Sequence, residues 1–370
     1  IDRIWENVVT KKIYVQGGLG ARGDGERFGE NYELPNNTAY NETCAAIAGV
    51  YWNYRMFLLH GDAKYIDVLE KMLYNGLISG IGLDGKSFFY TNAMEVRNSF
   101  SHKDFEGSRS GWFECSCCPT NLTRLIPSVP GYMYAQNGDN LFVNLFINST
   151  VDLMVNNKAV QIAQQNNYPW EGNLKFTINT VKANTFNLLV RIPGWANNIA
   201  IPSDLYKFQT SSAAKPEIKV NGQKVEYTTQ NGYAVINKAW KKNDVVEVNL
   251  PMEVRKILAN ENVKNDVGKI ALQQGPIIYC AEWVDNNGKT SNIIIPANTT
   301  FTSEYKPNVL NGIMTLKAEV PAVIINGNEN ISTRKQTLTA IPYYSWANRG
   351  KGEMTVWFPT QVKDIELLSK

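Results

Sequence analysis

Along the first third of the chain apolar residues return every three or four positions, and from about Tyr132 onward they alternate with polar ones. That change of period predicts helices followed by strands. Asp2–Lys11 reads as the end of a helix. Ala45–His60 carries a stripe of Ala45, Ala46, Val50, Tyr51, Tyr54 and Leu58, and Ala63–Ile78 one of Tyr65, Ile66, Leu69, Met72 and Leu73. With Gly61–Asp62 as a tight turn and Asp62 as N-cap, the two read as an α-hairpin.

The alternating region supplies short strands over Leu141–Ile147, Val151–Val155, Val160–Ala163, Leu174–Ile178, Phe186–Ile192, Glu217–Val220, Tyr233–Ile236 and Val245–Leu250, separated by turns such as Asn221–Gly222. Regular spacing of this kind is a β-sandwich signature. Pro251 closes the run. Ile270–Leu272, Ile277–Cys280, Asn292–Ile295, Gly312–Ala318, Ala322–Ile325 and Glu353–Phe358 then predict a second all-β unit. The expectation is an α+β multidomain chain with a helical part over 1–131, a sandwich over 132–254 and another over 255–370. Its 370 residues exceed what one core usually serves, which agrees.

Charge narrows the function. With 37 basic against 34 acidic residues and no basic run interleaved with aromatics, nothing points to nucleic acid. No long uncharged apolar stretch predicts a membrane span. The chain opens at Ile1 with no signal-like segment, which reads as a processed product or a piece of a longer chain, and both periplasm and cytoplasm of a bacterium suit it. Nine tryptophans, eighteen tyrosines and many asparagines suit a sugar-binding surface as well as a sandwich core. Oligomeric state, including self-association, is left open.

Two stretches carry chemistry. Three of the five cysteines fall within Cys115–Cys118, a crowding that suits a soft metal, zinc above all, better than disulfides. Pro119 is a natural first helical residue, which puts Cys117 and Cys118 at a helix N-terminus that favours thiolate. Glu42 and Cys44, two apart, face one ion only at a helix entry whose backbone is not yet helical. Glu42, Cys44, Cys117 and Cys118 then make a four-ligand set. A carboxylate in the fourth place hints at a working site, although a structural metal or none is also compatible. Cys280 reads as a buried strand residue.

The second stretch is Gly17–Gly29, with six glycines and one central acid, Glu26. Gly18, Gly20 and Gly23 match G-x-G-x-x-G, but Gly25 and Gly29 deny the helix a dinucleotide site needs. A backbone that approaches a ligand closely, or a plain surface turn, explains it better. A metal-polarised thiolate with a separate acid can cleave an acetal in two steps, with Glu26 as the candidate acid/base. Two histidines, His60 and His102, are too few for a triad, and His60 at a helix end reads as a cap.

At these residues the sequence resembles the β-L-arabinofuranosidases of glycoside hydrolase family 127 and the related family 146. The resemblance rests on Gly17–Gly29 with Tyr32–Asn36, Glu42–Ala46, Asp67–Glu70 with Leu73–Asn75, Phe88–Tyr90 and Trp112–Pro119. It implies zinc (Zn2+) held by Glu42, Cys44, Cys117 and Cys118, Cys117 as nucleophile, Glu26 as general acid/base, and sugar contacts from Glu70 and Tyr90. Cys115 matches a family cysteine that is not a ligand. The implied fold is the C-terminal part of an (α/α)6 barrel followed by two β-sandwich domains, with the upstream barrel helices as a missing N-terminal partner segment. The implied activity is retaining release of terminal β-L-arabinofuranose from plant glycans or glycoproteins. A glycan-binding module with a structural zinc, or another α-toroid glycosidase or lyase, is the rival reading.

Overall fold

The computed structural model describes residues 1–97, 107–180, 182, 184–325 and 331–365. Four α-helices lie in the first part: α1 (Asp2–Lys11), α2 (Thr43–His60), α3 (Ala63–Lys71) and α4 (Cys117–Leu125). They form an open layer with mixed α/β surroundings rather than a closed barrel. The hairpin is present. Gly61 takes a left-handed φ of 63° and donates its N–H to the Phe57 carbonyl, ending α2, while Asp62 accepts from the Lys64 N–H to start α3. Leu58, expected inside, is 59% exposed, because the buried stripe of α2 runs through Ala46, Ile47, Val50, Asn53, Met56 and Phe57 instead. Among the described residues no helix is long and apolar enough to cross a membrane.

After α3 the chain does not stay α-helical to Ile78. Met72–Leu77 forms a π turn, and the cause is a close neighbour. Gly76 donates its N–H to the Gln16 carbonyl at 2.9 Å, and Gly17, at φ 87°, lies so near that a Cβ there would meet the Met72 backbone at 2.7 Å. The first glycines of the glycine-rich loop therefore serve packing against this turn.

The middle region has two sheets. A six-stranded antiparallel sheet runs in the order Gln223–Lys224, Glu217–Val220, Asp244–Asn249, Asn173–Thr180, Lys158–Asn166, Ser149–Val155. A five-stranded sheet runs Thr228–Gln230, Tyr233–Trp240, Asn184–Arg191, Asn140–Val143, Tyr134–Asn137, antiparallel except for the parallel pairing of Asn140–Val143 with Asn184–Arg191. Alternating burial along strands such as Asn173–Thr180 shows one face turned inward. Phe176 and Ile178 from one sheet and Phe186, Leu188 and Trp240 from the other share a continuous core with α2 and α3.

The last region is a ten-stranded sheet whose main path is Thr302–Lys306, Ile313–Ile325, Ile331–Pro342, Ile277–Glu282, Lys269–Gln274, Val254–Ala259 and Tyr206–Phe208. The strands expected over Ile270–Leu272 and Ile277–Cys280 run from Lys269 to Gln274 and from Ile277 to Glu282, are buried at every position including polar Lys269, Gln273, Gln274 and Glu282, and hold Cys280 fully buried. The predicted strand over Asn292–Ile295 is absent; Ile293 forms only an isolated bridge to Ala322. The two predicted segments from Gly312 to Ile325 are one strand. Glu95–Val96 and Tyr206–Phe208, from earlier regions, both join this sheet.

The regions are tied by buried polar groups on α3 and the turn after it. Arg191, with no exposed surface, donates to the Asn144 carbonyl at 2.7 Å, to Asp67 at 2.6 Å and to Glu70. Burial would push its guanidinium toward neutrality, yet Glu70 and Asp67 hold its pKa above the ordinary value. Asn75 accepts from the Ile278 N–H at 2.7 Å and donates to the Pro276 carbonyl at 2.9 Å, standing in for a strand neighbour. Replacing Arg191 with Met should leave two buried carboxylates unpaired and destabilise the fold by about 3–5 kcal/mol, read by urea unfolding. A loss under about 1 kcal/mol would contradict the role given to this contact.

Asp266 supplies a pH dependence. It is buried, accepts a hydrogen bond from Asn36 Nδ2 at 2.7 Å, and burial raises its pKa to about 7. Since the folded state holds this proton more tightly than the unfolded chain, the stabilisation is full below the ordinary aspartate pKa and is lost as pH rises through 7. Asp266→Asn should therefore flatten the decline in unfolding free energy between pH 5 and pH 8 by on the order of 2 kcal/mol. An unchanged slope would place the titration elsewhere.

Candidate active site

Two helix entries meet at the cysteine cluster. Glu42 is the N-cap of α2 with extended angles (φ −62°, ψ 136°), and the helix begins at Thr43, so Glu42 and Cys44 turn to one side although they are two apart. The preceding Asn41 has φ 41°, a left-handed conformation that needs outside support. Asn92 provides it, donating from Nδ2 to the Asn41 carbonyl and to Thr43 Oγ1, each at 2.9 Å, while the Ser79 hydroxyl fixes Asn92 at 2.6 Å. Thr43 in turn donates its backbone N–H to the Tyr90 carbonyl and its hydroxyl to the Phe89 carbonyl. The segment over residues 89–92 is thereby laid along the helix entry.

Cys117 and Cys118 are the first two residues of α4, so Pro119 is its third residue rather than its first. Side-chain oxygen and sulfur atoms of Glu42, Cys44, Cys117 and Cys118 all lie within 4.8 Å of one another. The Cys44 and Cys118 sulfurs are 3.4 Å apart, those of Cys117 and Cys118 3.8 Å, and Glu42 Oε1 is 3.7 Å from Cys117 and 3.9 Å from Cys118. Thiolates about 2.3 Å from a shared tetrahedral centre would sit about 3.8 Å apart. The spacing fits.

Electrostatics points the same way. Burial and the neighbouring sulfur of Cys44 hold the Glu42 carboxyl up to about 8, and burial holds the Cys117 thiol up to about 12. Cys118 is raised as well, chiefly by its contact with Cys44. Cys44, taking that contact as the anion, falls to about 6. The easy ionisation expected of Cys117 and Cys118 is thus outweighed by burial and by mutual repulsion, which exceed the pull of the helix N-terminus. Four acids packed this closely ionise together only around a cation, so the group could hold a metal ion.

Glu26 closes the arrangement. It sits at the end of a single 3-10 turn (Asp24–Glu26) with φ 50°. Its Oε1 accepts hydrogen bonds from the hydroxyls of Tyr40 at 2.8 Å and Tyr90 at 2.9 Å. Burial raises both phenol pKa values, keeping them donors. The same Tyr90 hydroxyl is 3.3 Å from Cys117 Sγ, and Phe113 packs edge-on against its ring. Both contacts run through one oxygen, so the sulfur and the carboxylate oxygen lie no more than about 6.2 Å apart, short of the ~6.5–9.5 Å separation of inverting glycosidases.

Other expected residues stand apart. Glu70 is buried between Arg191, the Tyr168 hydroxyl at 2.7 Å and Trp195 Nε1 at 3.3 Å, and does not join this group. His60 pairs with Asp2 at 2.8 Å, tying α2 to α1 rather than capping α2, a task Gly61 performs. His102 lies outside the described residues. Cys115 is exposed and outside the four-donor group. Sequence reasoning missed Tyr40, Asn92 and Asn121. Only Asn121, four residues beyond Cys117 on one helix face, carried a spacing that could have revealed it.

The fold around this group matches solved glycoside hydrolases. A GH127 β-arabinofuranosidase matches with a TM-score of 0.93 at 46% identity over 99% of this chain and 56% of that one. A GH127 β-L-arabinofuranosidase from Geobacillus stearothermophilus T6 matches with a TM-score of 0.88 at 39% identity over 96% and 55%. Family models described as the GH127 catalytic domain, GH127 middle domain and glycoside hydrolase family 127 C-terminal domain match residues 1–131, 140–252 and 254–359. The chain belongs to glycoside hydrolase family 127. A non-reducing end β-L-arabinofuranosidase of Bifidobacterium longum subsp. longum is 34% identical over 96% of this chain, which spans 54% of that relative's length.

Metal removal tests the cluster. Of five cysteines Cys118 and Cys280 are fully buried, so metal-loaded protein should show one fast-reacting thiol, Cys115, and chelation should raise the number to three by freeing Cys44 and Cys117. A count that chelator leaves unchanged would remove the metal reading.

Proposed function

We propose that this chain forms the reaction centre of a retaining exo-glycosidase that releases terminal β-L-arabinofuranose from plant glycans or glycoproteins. The observation that carries this reading is the short path from Cys117 through the Tyr90 hydroxyl to Glu26. Relatives at 34% to 46% identity named β-arabinofuranosidases support the sugar. In this reading zinc is the ion of the four-donor group, with Glu42, Cys44, Cys117 and Cys118 as its ligands.

The Cys117 sulfur attacks the anomeric carbon while Glu26 gives its proton to the departing glycosidic oxygen, and the C–O bond breaks as the C–S bond forms. Glu26, now a carboxylate, takes a proton from water. That water oxygen bonds to the anomeric carbon and the sulfur leaves with its electron pair, so configuration is retained. Bound zinc keeps Cys117 deprotonated near neutral pH and makes it a better leaving group. In this reading Tyr90, whose hydroxyl contacts both reacting groups, touches the sugar, and its one hydroxyl proton serves whichever of sulfur and carboxylate is the more negative.

The division at 131/132 and 254/255 is retained as a proposal, with the helical layer as the last part of an (α/α)6 barrel and the flanking sheets as two β-sandwich domains. The helical hairpin and the alternating burial of the middle strands support it.

A mechanism-based arabinofuranosyl inhibitor should add its mass to the peptide that contains Cys117. Cys117→Ala should abolish labelling and lower turnover of an aryl arabinofuranoside by about 10³-fold or more. Labelling on another peptide, or full turnover by the variant, would reassign the nucleophile.

A further inference from the structure

Each sulfur of the cluster has a different environment outside the cluster. Cys118 has no exposed surface. Cys117 faces the Tyr90 hydroxyl, which Glu26 shares. Cys44 receives the side-chain amide of Asn121, whose Nδ2 lies 3.1 Å from Cys44 Sγ. Asn121 follows Cys117 by four residues and Cys118 by three on α4, so helical geometry sets its amide beside both thiols and aims it across at the cysteine from α2.

A carboxamide can turn either its nitrogen or its oxygen toward a neighbour, and only the nitrogen suits an anionic sulfur. Arg124 settles the choice. Its Nη1 donates to Asn121 Oδ1 at 3.0 Å, and a guanidinium, having no acceptor, binds only the oxygen side. The N–H side must then face Cys44. A donor on a thiolate draws off charge and holds the sulfur in place, as partners of metal ligands commonly do.

We propose that Asn121, oriented by Arg124, is a positioning residue of the metal centre: its amide N–H donates to Cys44 and fixes that cysteine as a retained ligand, in contrast to Cys117, whose outside partner is the phenol shared with Glu26. This rests on the four-donor group holding a metal ion. The pairing makes Cys44 the anchored sulfur of the site and leaves Cys117 the one that exchanges partners.

The test uses the whole chain loaded with zinc or cobalt(II). Asn121→Asp, close in shape but with acceptors where the donor was, should lower zinc affinity by roughly 10–100-fold in chelator competition and shift the sulfur-to-cobalt charge-transfer band. Arg124→Ala, a change at an exposed residue, should shift the same band with a smaller loss of affinity, and it decides the matter if Asn121→Asp fails to fold. A wild-type affinity and band in Asn121→Asp, or in Arg124→Ala where that variant decides, would overturn the inference while leaving the metal reading standing. A wild-type chain that takes up neither metal would overturn both.

Discussion

Arg191 lies wholly inside the protein with its charge met by Asp67 and Glu70, and through them it joins the helical layer to the middle sheets. A buried guanidinium is tolerable only with its donors filled, so the strand over Asn184–Arg191 and helix α3 must meet in one register. From the next turn of α3, Lys71 reaches Gln273 and Asn75 reaches the Ile277–Glu282 strand. One short helix and the turn after it therefore touch both β regions. The glycine-rich loop is pressed onto that same turn through Gly17 and Gly76, which links the scaffold to the segment bearing Glu26.

The cluster sits where two helix N-termini converge, and the fold meets a cost to bring them there. Asn41 is held left-handed, and the Ser79–Asn92–Thr43 network of hydrogen bonds supports it. Four acidic groups then share a volume in which full ionisation is unfavourable without a cation. Such crowding serves no packing purpose that apolar residues would not serve better, and this is why the cluster reads as chemistry. Tyr90 makes the cluster and Glu26 a single electrostatic unit, since its hydroxyl is common to both.

The α-hairpin, the change to alternation after Tyr132 and most middle strands were legible because one buried face imposes a period on the residues. Glu217–Val220 has the bounds its pattern predicts. Ile331–Pro342 and Thr302–Lys306 were not legible. Several of their positions face solvent and bear threonine, lysine or glutamate, so their pairing rests on neighbours rather than on their own apolar content. Asn292–Ile295 erred the other way, its isoleucines being buried by a turn that packs against Pro321 and Pro359.

What the sequence determined alone is local: which segments take helical or extended backbone, and which residues carry thiol, carboxyl and phenol groups of the right kind. Side-chain period and residue chemistry are properties of neighbouring positions and need no tertiary contact to exist. The grouping of Glu42 with Cys117 was expected from residue chemistry and only its distances came from the fold, whereas that Tyr40 and Tyr90 would both turn to Glu26 and that Glu70 would be enclosed by Arg191 were decided only in the folded chain. Those contacts depend on the relative placement of whole elements, which buried charge and close packing enforce and which no window of sequence contains.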